Sequence, residues 1–423
     1  MREFNKDIVI IGAGPAGLAA AVAAYERGAR DILILERDEY SGGILNQCIH
    51  NGFGLHTFKE ELTGPEYAAR YYSLVEERGI ECMFGTTVLS LGGYEKRIYA
   101  VNSSGVLRIK ARAIILASGC RERPRGAVNI AGTRPAGVFS AGTAQRLINI
   151  EGKNIGRDVF ILGSGDIGLI MARRMVFEGA KVHGVAELMP YSSGLNRNIA
   201  QCLDDFGIPL MLSTTVVDIR GRDRIEAVVV ANVDENKNPI MSTAREIKCD
   251  TLLLSVGLLP ENELASGSGV RLSRVTGGGD VDDRFMTNVD GVFMCGNCLH
   301  VHDLVDYVSG ESAACGRFAA EYVAGKSRSG GSLTEVAVSG GVRYCVPQRI
   351  GGGDGELTFR MRVDGVYRKC KLVVVADGKE VWAKNRPICT PGEMETIELN
   401  AEQSAAVRSA RAVEIKLIKA GEV

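Results

Sequence analysis

DIVIIGAGPAGLAAAVAAYERGARDILILE, residues 7–36, decides the fold. Asp7–Ile11 reads as a buried strand, residues 16–27 as a helix ending at Gly28, and DILILE over 31–36 as the next strand. Gly12, Gly14 and Gly17 stand between strand and helix. Gly12 permits a tight turn, Gly14 lets the backbone approach a pyrophosphate, and Gly17 lets the helix pack closely on the strand. Such a turn, with Pro15 and Ala16 opening the helix, directs free amides and the positive helix end at a diphosphate. Glu36 closes the second strand, where a carboxylate accepts hydrogen bonds from a ribose. The uncharged run Ile8–Tyr25 also resembles a signal peptide or membrane span, but that reading explains none of the glycines. The chain is therefore expected to be cytoplasmic, with no membrane span of its own.

A near repeat begins at Asp158. The strand DVFIL leads into Gly163-Ser-Gly165-Asp166-Ile167-Gly168, a helix to Glu178 is stopped by Gly179, and a strand follows over Lys181–Glu187. Two such units about 150 residues apart imply two dinucleotide folds. Glu187 stands at the same offset from Gly165 as Glu36 does from Gly14. A carboxylate there favours the free 2′-hydroxyl of NAD(H) over the 2′-phosphate of NADP(H). A fold that binds ATP, or no nucleotide, remains the alternative for this second unit.

Outward from the two units, Glu66–Arg78 reads as an amphipathic helix, and Cys82–Leu91, Arg97–Asn102 and Leu107–Ile109 as short strands. Ala113–Ala117 returns to the first sheet. Thr215–Ile219, Ile225–Val233 and Glu246–Val256 repeat that pattern, and Val292–Cys295 precedes a helix from about Val305 to Ala324. Residues 325–332 (GKSRSGGS) have the composition of a linker. Beyond them alternating runs such as ELTFRMRV and RKCKLVVVADG suggest a β-sandwich. The expected class is α/β, with residues 1–125 and 250–326 forming one Rossmann-like domain. Residues 126–249 form a second, inserted in it, and 333–423 a small β-rich domain expected to dock partners or serve structure alone.

Composition excludes little else. Fifty basic and 51 acidic side chains leave no electrostatic footprint for nucleic acid. Glycine, at 52 residues, is well above the usual ~7%, as a chain that approaches ligands closely requires. Eleven scattered cysteines do not form a secreted disulfide framework.

With its two glycine-rich turns the sequence resembles the two-dinucleotide-binding-domain flavoproteins of the glutathione and thioredoxin reductase superfamily. IILASGCRERP (114–124), LLLSVGLLP (252–260) and TNVDGVFMCGN (287–297) look like that superfamily's connecting strands and its late flavin motif. The resemblance implies FAD at the first site, held by Gly12, Gly14, Pro15, Ala16, Gly17, Glu36, Arg37, Gly43, Ala117, Gly119, Gly296, Asn297 and Asp303. It implies NAD at Gly163, Gly165, Asp166, Ile167, Gly168, Glu187 and Gly257. The late motif usually ends in Gly-Asp and here ends Gly296-Asn297, which keeps a hydrogen-bonding group without the charge.

GGILNQCIHNGFG (42–54), RPAGVFSAGTAQRLIN (134–149) and CGNCLHVHDLVDY (295–307) look like a bacterial FAD/NAD oxidoreductase subfamily associated with anaerobic glycerol-3-phosphate dehydrogenases. More distantly they are similar to the large subunits of dye-linked proline dehydrogenase, opine oxidase and hydrogen cyanide synthase. That resemblance implies an oligomeric assembly with a partner flavoprotein dehydrogenase, in which a small cysteine-rich protein is a further candidate member. The alternatives are the FAD/ATP-binding large subunit of an amine or imino-acid dehydrogenase, or a component for electron relay and assembly.

The superfamily's disulfide reductases carry a CxxxxC or CxxC pair that this chain lacks at those places, since Cys48 stands alone. Cys295-x-x-Cys298 straddles the flavin motif, where a disulfide would distort the loop. Four of the five histidines (His50, His56, His300 and His302) fall in segments expected to flank the flavin. Cys48, His50, His300 and His302 are therefore the candidate catalytic residues, with proton transfer the expected chemistry. His300, His302, Asp303 and Asp306 also permit a metal reading, but the flavin context accounts for them without one. Arg121, Arg123 and Arg125 are either phosphate contacts or a solvated turn.

Overall fold

The computed structural model describes residues 2–326, 332–353 and 355–419, so residues 327–331 of the expected linker lie outside it. The chain divides into two compact units, Met1–Cys120 with Pro260–Val423, and Arg121–Leu259.

The first unit is built on a parallel sheet in the order Glu81–Met83, Ile32–Leu35, Arg2–Ile11, Gly105–Leu116 and Val292–Met294. Every residue of Ile8–Ile11 and Ile32–Leu35 is buried, as strands covered on both faces require. The helix Pro15–Glu26 covers one face and is made almost wholly of small residues. It packs on the helix Val305–Val323 so closely that a β-carbon at Gly316 would lie 2.1 Å from the Ala20 carbonyl oxygen.

The two strands expected at Leu107–Ile109 and Ala113–Ala117 are one strand, Gly105–Leu116. It pairs antiparallel with Arg97–Asn102 and parallel with Arg2–Ile11. Lys110 and Arg112 interrupt the apolar text but share one exposed face, so the strand runs straight through them.

In the second unit a parallel sheet runs Val138–Ser140, Thr251–Leu254, Asp158–Leu162, Lys181–Ala186 and Leu210–Met211. A separate antiparallel sheet joins Thr214–Gly221, Ile225–Asn232 and Arg245–Lys248. The stretch expected as one strand, Glu246–Val256, is thus two strands in different sheets. The break falls at Asp250, whose carboxylate accepts hydrogen bonds from the Arg157 amide at 2.9 Å and the Asp158 amide at 3.2 Å.

The C-terminal region forms a five-stranded and a three-stranded sheet over a shared core that includes Phe359, Met361, Val374, Ile397 and Ile415. Sequence reasoning missed its helix, Ala401–Ser409. The signal was present: Asn400 and Gln403 make a reciprocal capping box, each side chain accepting the other's amide at 2.9 and 3.0 Å. Four arginines fasten this region to carboxylates of the flavin-fold part of the same unit. Arg349 bonds Asp280, Arg408 bonds Asp283, Arg360 bonds Glu311 and Arg362 bonds Asp303.

Phe359 is fully buried in the C-terminal core, so Phe359→Ala is expected to cost about 3–5 kcal/mol. Asn400→Ala, which removes only the cap, is expected to cost about 1 kcal/mol. Urea unfolding followed by the fluorescence of Trp382, the chain's single tryptophan and part of this region, measures both.

Candidate functional site

The nucleotide turn of the first unit is shaped by what it excludes. A β-carbon at Gly12 would lie 2.5 Å from the Ala117 carbonyl oxygen, and one at Gly17 only 1.9 Å from the Gly12 carbonyl oxygen. Gly12 also has φ 109°, a left-handed conformation that side chains resist. Gly43 closes the cradle from the next loop, where a β-carbon would sit 3.3 Å from Gly14 Cα. Gly14, the N-cap of the helix that Pro15 begins, leaves that helix's first amides without a side-chain cap. The backbone is therefore bare where a diphosphate needs it, and the residues present fit FAD.

Glu36 is buried, with one carboxylate oxygen accepting the Ala13 amide at 2.7 Å and the other the Asp38 amide at 2.9 Å. Arg37 beside it is exposed. The second unit repeats this arrangement. Glu187 accepts the Ser164 amide at 3.0 Å and the Met189 amide at 2.9 Å. A β-carbon at Gly163 would lie 2.0 Å from the Ser255 carbonyl oxygen, and one at Gly168 2.6 Å from Ser255 Cβ.

One residue of the second turn had no sequence signal: Ser164, which donates its hydroxyl to Glu187 at 2.5 Å. Asp166 caps the following loop, accepting from the Leu195 amide at 2.8 Å and from Asn198 at 2.6 Å. Asp166, the first residue of the helix that this turn opens, thus also orders its own unit. Ile167 packs on that unit's core, while Gly119 and Gly257 hold positive φ with open space around them.

Around the late flavin motif the structure assembles residues that sequence had only grouped. A β-carbon at Gly296 would lie 2.6 Å from Ala16 Cβ, so this loop touches the first nucleotide turn. Asn297 accepts the His302 amide at 3.1 Å. Asp306 reaches back to the amides of Gly54 and Thr57 at 3.1 and 2.8 Å, and His56 stacks on Tyr307 with ring centroids 5.6 Å apart. The two histidine segments are therefore joined. The Asp303 carboxylate accepts from Arg362 and from the Met394 amide at 2.7 Å.

Of the four candidate catalytic residues, His300 and His302 stand together, with ring centroids 4.3 Å apart. His300 is 1% exposed and its Nε2 lies 2.8 Å from Glu311. Burial drives the His300 imidazole down to about 4 against the pull of Glu311, so it is neutral at neutral pH. Glu311 remains ionised. Burial opposes its charge, but the hydrogen bonds that the neighbouring His302 and His300 imidazoles give it outweigh that and hold the carboxyl well below its usual range. His300, His302 and Glu311 place one donor atom each within 4.8 Å of one another, a spacing a metal ion would accept. Arg360, 3.3 Å from the same Glu311 oxygen, supplies a cation beside this cluster.

His50 instead lies on the earlier loop, with Nδ1 3.1 Å from the Asn51 carbonyl oxygen and its ring 5.0 Å from that of Phe53. The Cys48 thiol donates to the Ile44 carbonyl at 3.4 Å, and burial pushes it up to about 12. It is therefore a thiol and not a thiolate nucleophile at neutral pH. Cys298 donates to the carbonyls of Cys295 and Leu116 at 3.1 and 3.3 Å. Among the described residues no helix is long and apolar enough to cross a membrane.

Residues 6–327 match the family model described as pyridine nucleotide-disulphide oxidoreductase. The hydrogen cyanide synthase subunit HcnB of Pseudomonas protegens is 27% identical over 282 residues, which are 62% of this chain and 58% of that protein. An opine oxidase subunit from Agrobacterium tumefaciens is 25% identical over 286 residues, 63% of this chain and 55% of that one. The chain thus spans little more than half the length of these relatives. The crystal structure of Lactococcus lactis thioredoxin reductase shares the fold at a TM-score of 0.61 and 21% identity, covering 76% of this chain and 99% of that one.

The depressed His300 value has a measurable consequence. The unfolded chain takes up this proton near 6.5 and the folded chain only near 4, so stability is expected to fall as pH drops through that window. The loss is at most about 3 kcal/mol. Thermal midpoints measured from pH 7 to 4 should fall less steeply for His300→Gln than for the natural protein.

Proposed function

Because the chain belongs to the pyridine nucleotide-disulphide oxidoreductase family, we propose that it exchanges hydride between NAD(H) and FAD and passes electrons to or from a partner flavoprotein. One observation carries the reading. The loop–carboxylate arrangement of Ala13, Glu36 and Asp38 recurs, residue for residue, at Ser164, Glu187 and Met189. A chain that maintains both arrangements is equipped for two nucleotides. Buried Glu187 offers a ribose acceptor and repels a 2′-phosphate, which supports NADH over NADPH.

Bound FAD and NAD(H) supply the hydride chemistry, and the chain supplies position and field. Gly12, Gly14 and Gly17 admit the diphosphate, Glu36 takes the adenosine ribose, and Gly296 with Asn297 meets the ribityl chain. The Cys48 thiol, held in its protonated form, speaks against disulfide exchange through this chain and supports a partner as the route for electrons.

The partner we propose is a dehydrogenase flavoprotein that oxidises an organic substrate. The assembly would be cytoplasmic and of the anaerobic glycerol-3-phosphate dehydrogenase kind, with a small cysteine-rich protein as its further member. Support comes from segments 42–54, 134–149 and 295–307, and from relatives whose own names describe them as subunits. Ile44, Ile49, Leu55 and Tyr307, between 38% and 55% exposed, give the loops beside the flavin motif the apolar character of a docking surface.

Anaerobic stopped-flow mixing with NADH and, separately, NADPH tests the proposal. NADH is expected to bleach the oxidised flavin band near ~450 nm rapidly and NADPH slowly, because the flavin is the reactive centre. Glu187→Ala should weaken NADH binding by about tenfold, the worth of one good buried hydrogen-bond acceptor. A flavin that neither nucleotide bleaches would overturn the NADH reading in favour of ATP in the second fold and a dehydrogenase partner as the electron source.

A further inference from the structure

The strand Leu357–Val363 alternates strictly. Leu357, Phe359, Met361 and Val363 face the C-terminal core, and Arg360 and Arg362 lie on the opposite face. Arg362 reaches the segment Gly296–Leu304, which begins at the end of the flavin motif, directly, and Arg360 reaches it through Glu311 of the following helix. Arg360 Nη1 donates to Glu311 Oε2 at 3.3 Å, and the other Glu311 oxygen accepts from the Gly296 amide at 3.4 Å. The same Oε2 receives His300 at 2.8 Å. Arg362 bonds Asp303, and it donates to the Val301 carbonyl at 3.1 Å. Tyr344, paired across the strands with Arg362, sets its ring edge-on to His300 at 6.1 Å.

The segment is thus gripped at both ends and in the middle from one sheet of the C-terminal domain. The grip is made of buried charges. Glu311 and His300 are 1% exposed, and the side chains of Arg360 and Arg362 are 15% and 14% exposed. A cation taken from such a place leaves an uncompensated carboxylate, whose field acts over a longer range than the lost contact.

We propose that Arg360 and Arg362 are positioning residues for the flavin: acting through Glu311 and Asp303, they hold the Gly296–Leu304 loop in its cofactor-binding form. The C-terminal domain is then part of the flavin site rather than an appendage to it. This inference rests on the reading that the first nucleotide turn and this loop bind FAD.

The molecule contains its own control. Arg349 and Arg408 fasten the same domain to the same unit through Asp280 and Asp283, carboxylates outside the Gly296–Leu304 segment. The test uses the full chain, stripped of flavin and titrated with FAD, in four single variants: Arg360→Gln, Arg362→Gln, Arg349→Gln and Arg408→Gln. Thermal midpoints of each are measured alongside. Arg360→Gln and Arg362→Gln are expected to weaken FAD binding by about tenfold or more, the scale of a lost charge-assisted hydrogen bond. Arg349→Gln and Arg408→Gln should lower the thermal midpoint and leave FAD affinity within about twofold.

Arg360→Gln should also move the flavin midpoint potential to a more negative value, since the unneutralised Glu311 disfavours an anionic reduced ring. Arg360→Lys should restore much of that potential while failing to restore all of the affinity. Equal effects of all four glutamine variants on FAD binding would reduce the pair to general stability and overturn the proposal. So would unchanged affinity and potential in Arg360→Gln and Arg362→Gln. A natural protein that binds no FAD at all would instead remove the flavin reading itself, and the inference with it.

Discussion

Position 17 has room for a hydrogen atom and nothing larger, because a β-carbon there would overlap the carbonyl oxygen of Gly12. That one contact brings the first helix down onto the first strand and turns its unbonded amides toward the space where phosphates bind. The helix can approach because its packed face is made of alanine and glycine, and the long helix packed on it continues the economy of side chains with Gly316. Gly296 then completes the arrangement by pressing the flavin loop against Ala16. Sheet, helix pair and loop are held by close backbone approach, and the apolar core fills in behind them.

The carboxylates are the second theme. Glu36 and Glu187 are acceptors for backbone amides of their own loops as well as being placed for ribose, so each shapes the turn it serves. Asp303, Asp306 and Glu311 do comparable work around the late motif, tying the loop to the C-terminal domain, to the His56 segment and to His300. These few buried or half-buried acidic groups are matched to amides, imidazoles and arginines, while most of the chain's 101 charged side chains lie elsewhere.

Much of this is legible in the sequence because it is local. The glycine spacing, the buried strand residues and the two carboxylates at matching offsets lie within one strand–turn–helix–strand unit, and periodicity exposes them. The catalytic grouping is less legible. His300 and His302 are close in sequence to the flavin motif, but Glu311's other partner, Arg360, comes from a strand of the C-terminal sheets, and only tertiary structure shows the pair to be sequestered with Glu311. The same limit explains Asp303, whose partner Arg362 lies on that same distant strand. The strand Gly105–Leu116 looks like two because Lys110 and Arg112 resemble a loop until the sheet assigns them both to one face. The last helix escapes for a different reason: its capping box is a short local signal set among strands that dominate the surrounding composition.

The long strand also orders events in time. Arg2–Ile11 has Gly105–Leu116 as its neighbour, and that strand in turn needs Val292–Met294 on its other side. The segments between them include the whole of Arg121–Leu259, which is continuous in sequence and carries its own core. On a ribosome the later-starting unit therefore has all its parts first, while the unit that holds the N-terminus waits with an open sheet edge until Val292–Met294 has been made. An apolar strand edge left unpaired for that long is the chain's natural point of exposure to aggregation and to chaperones.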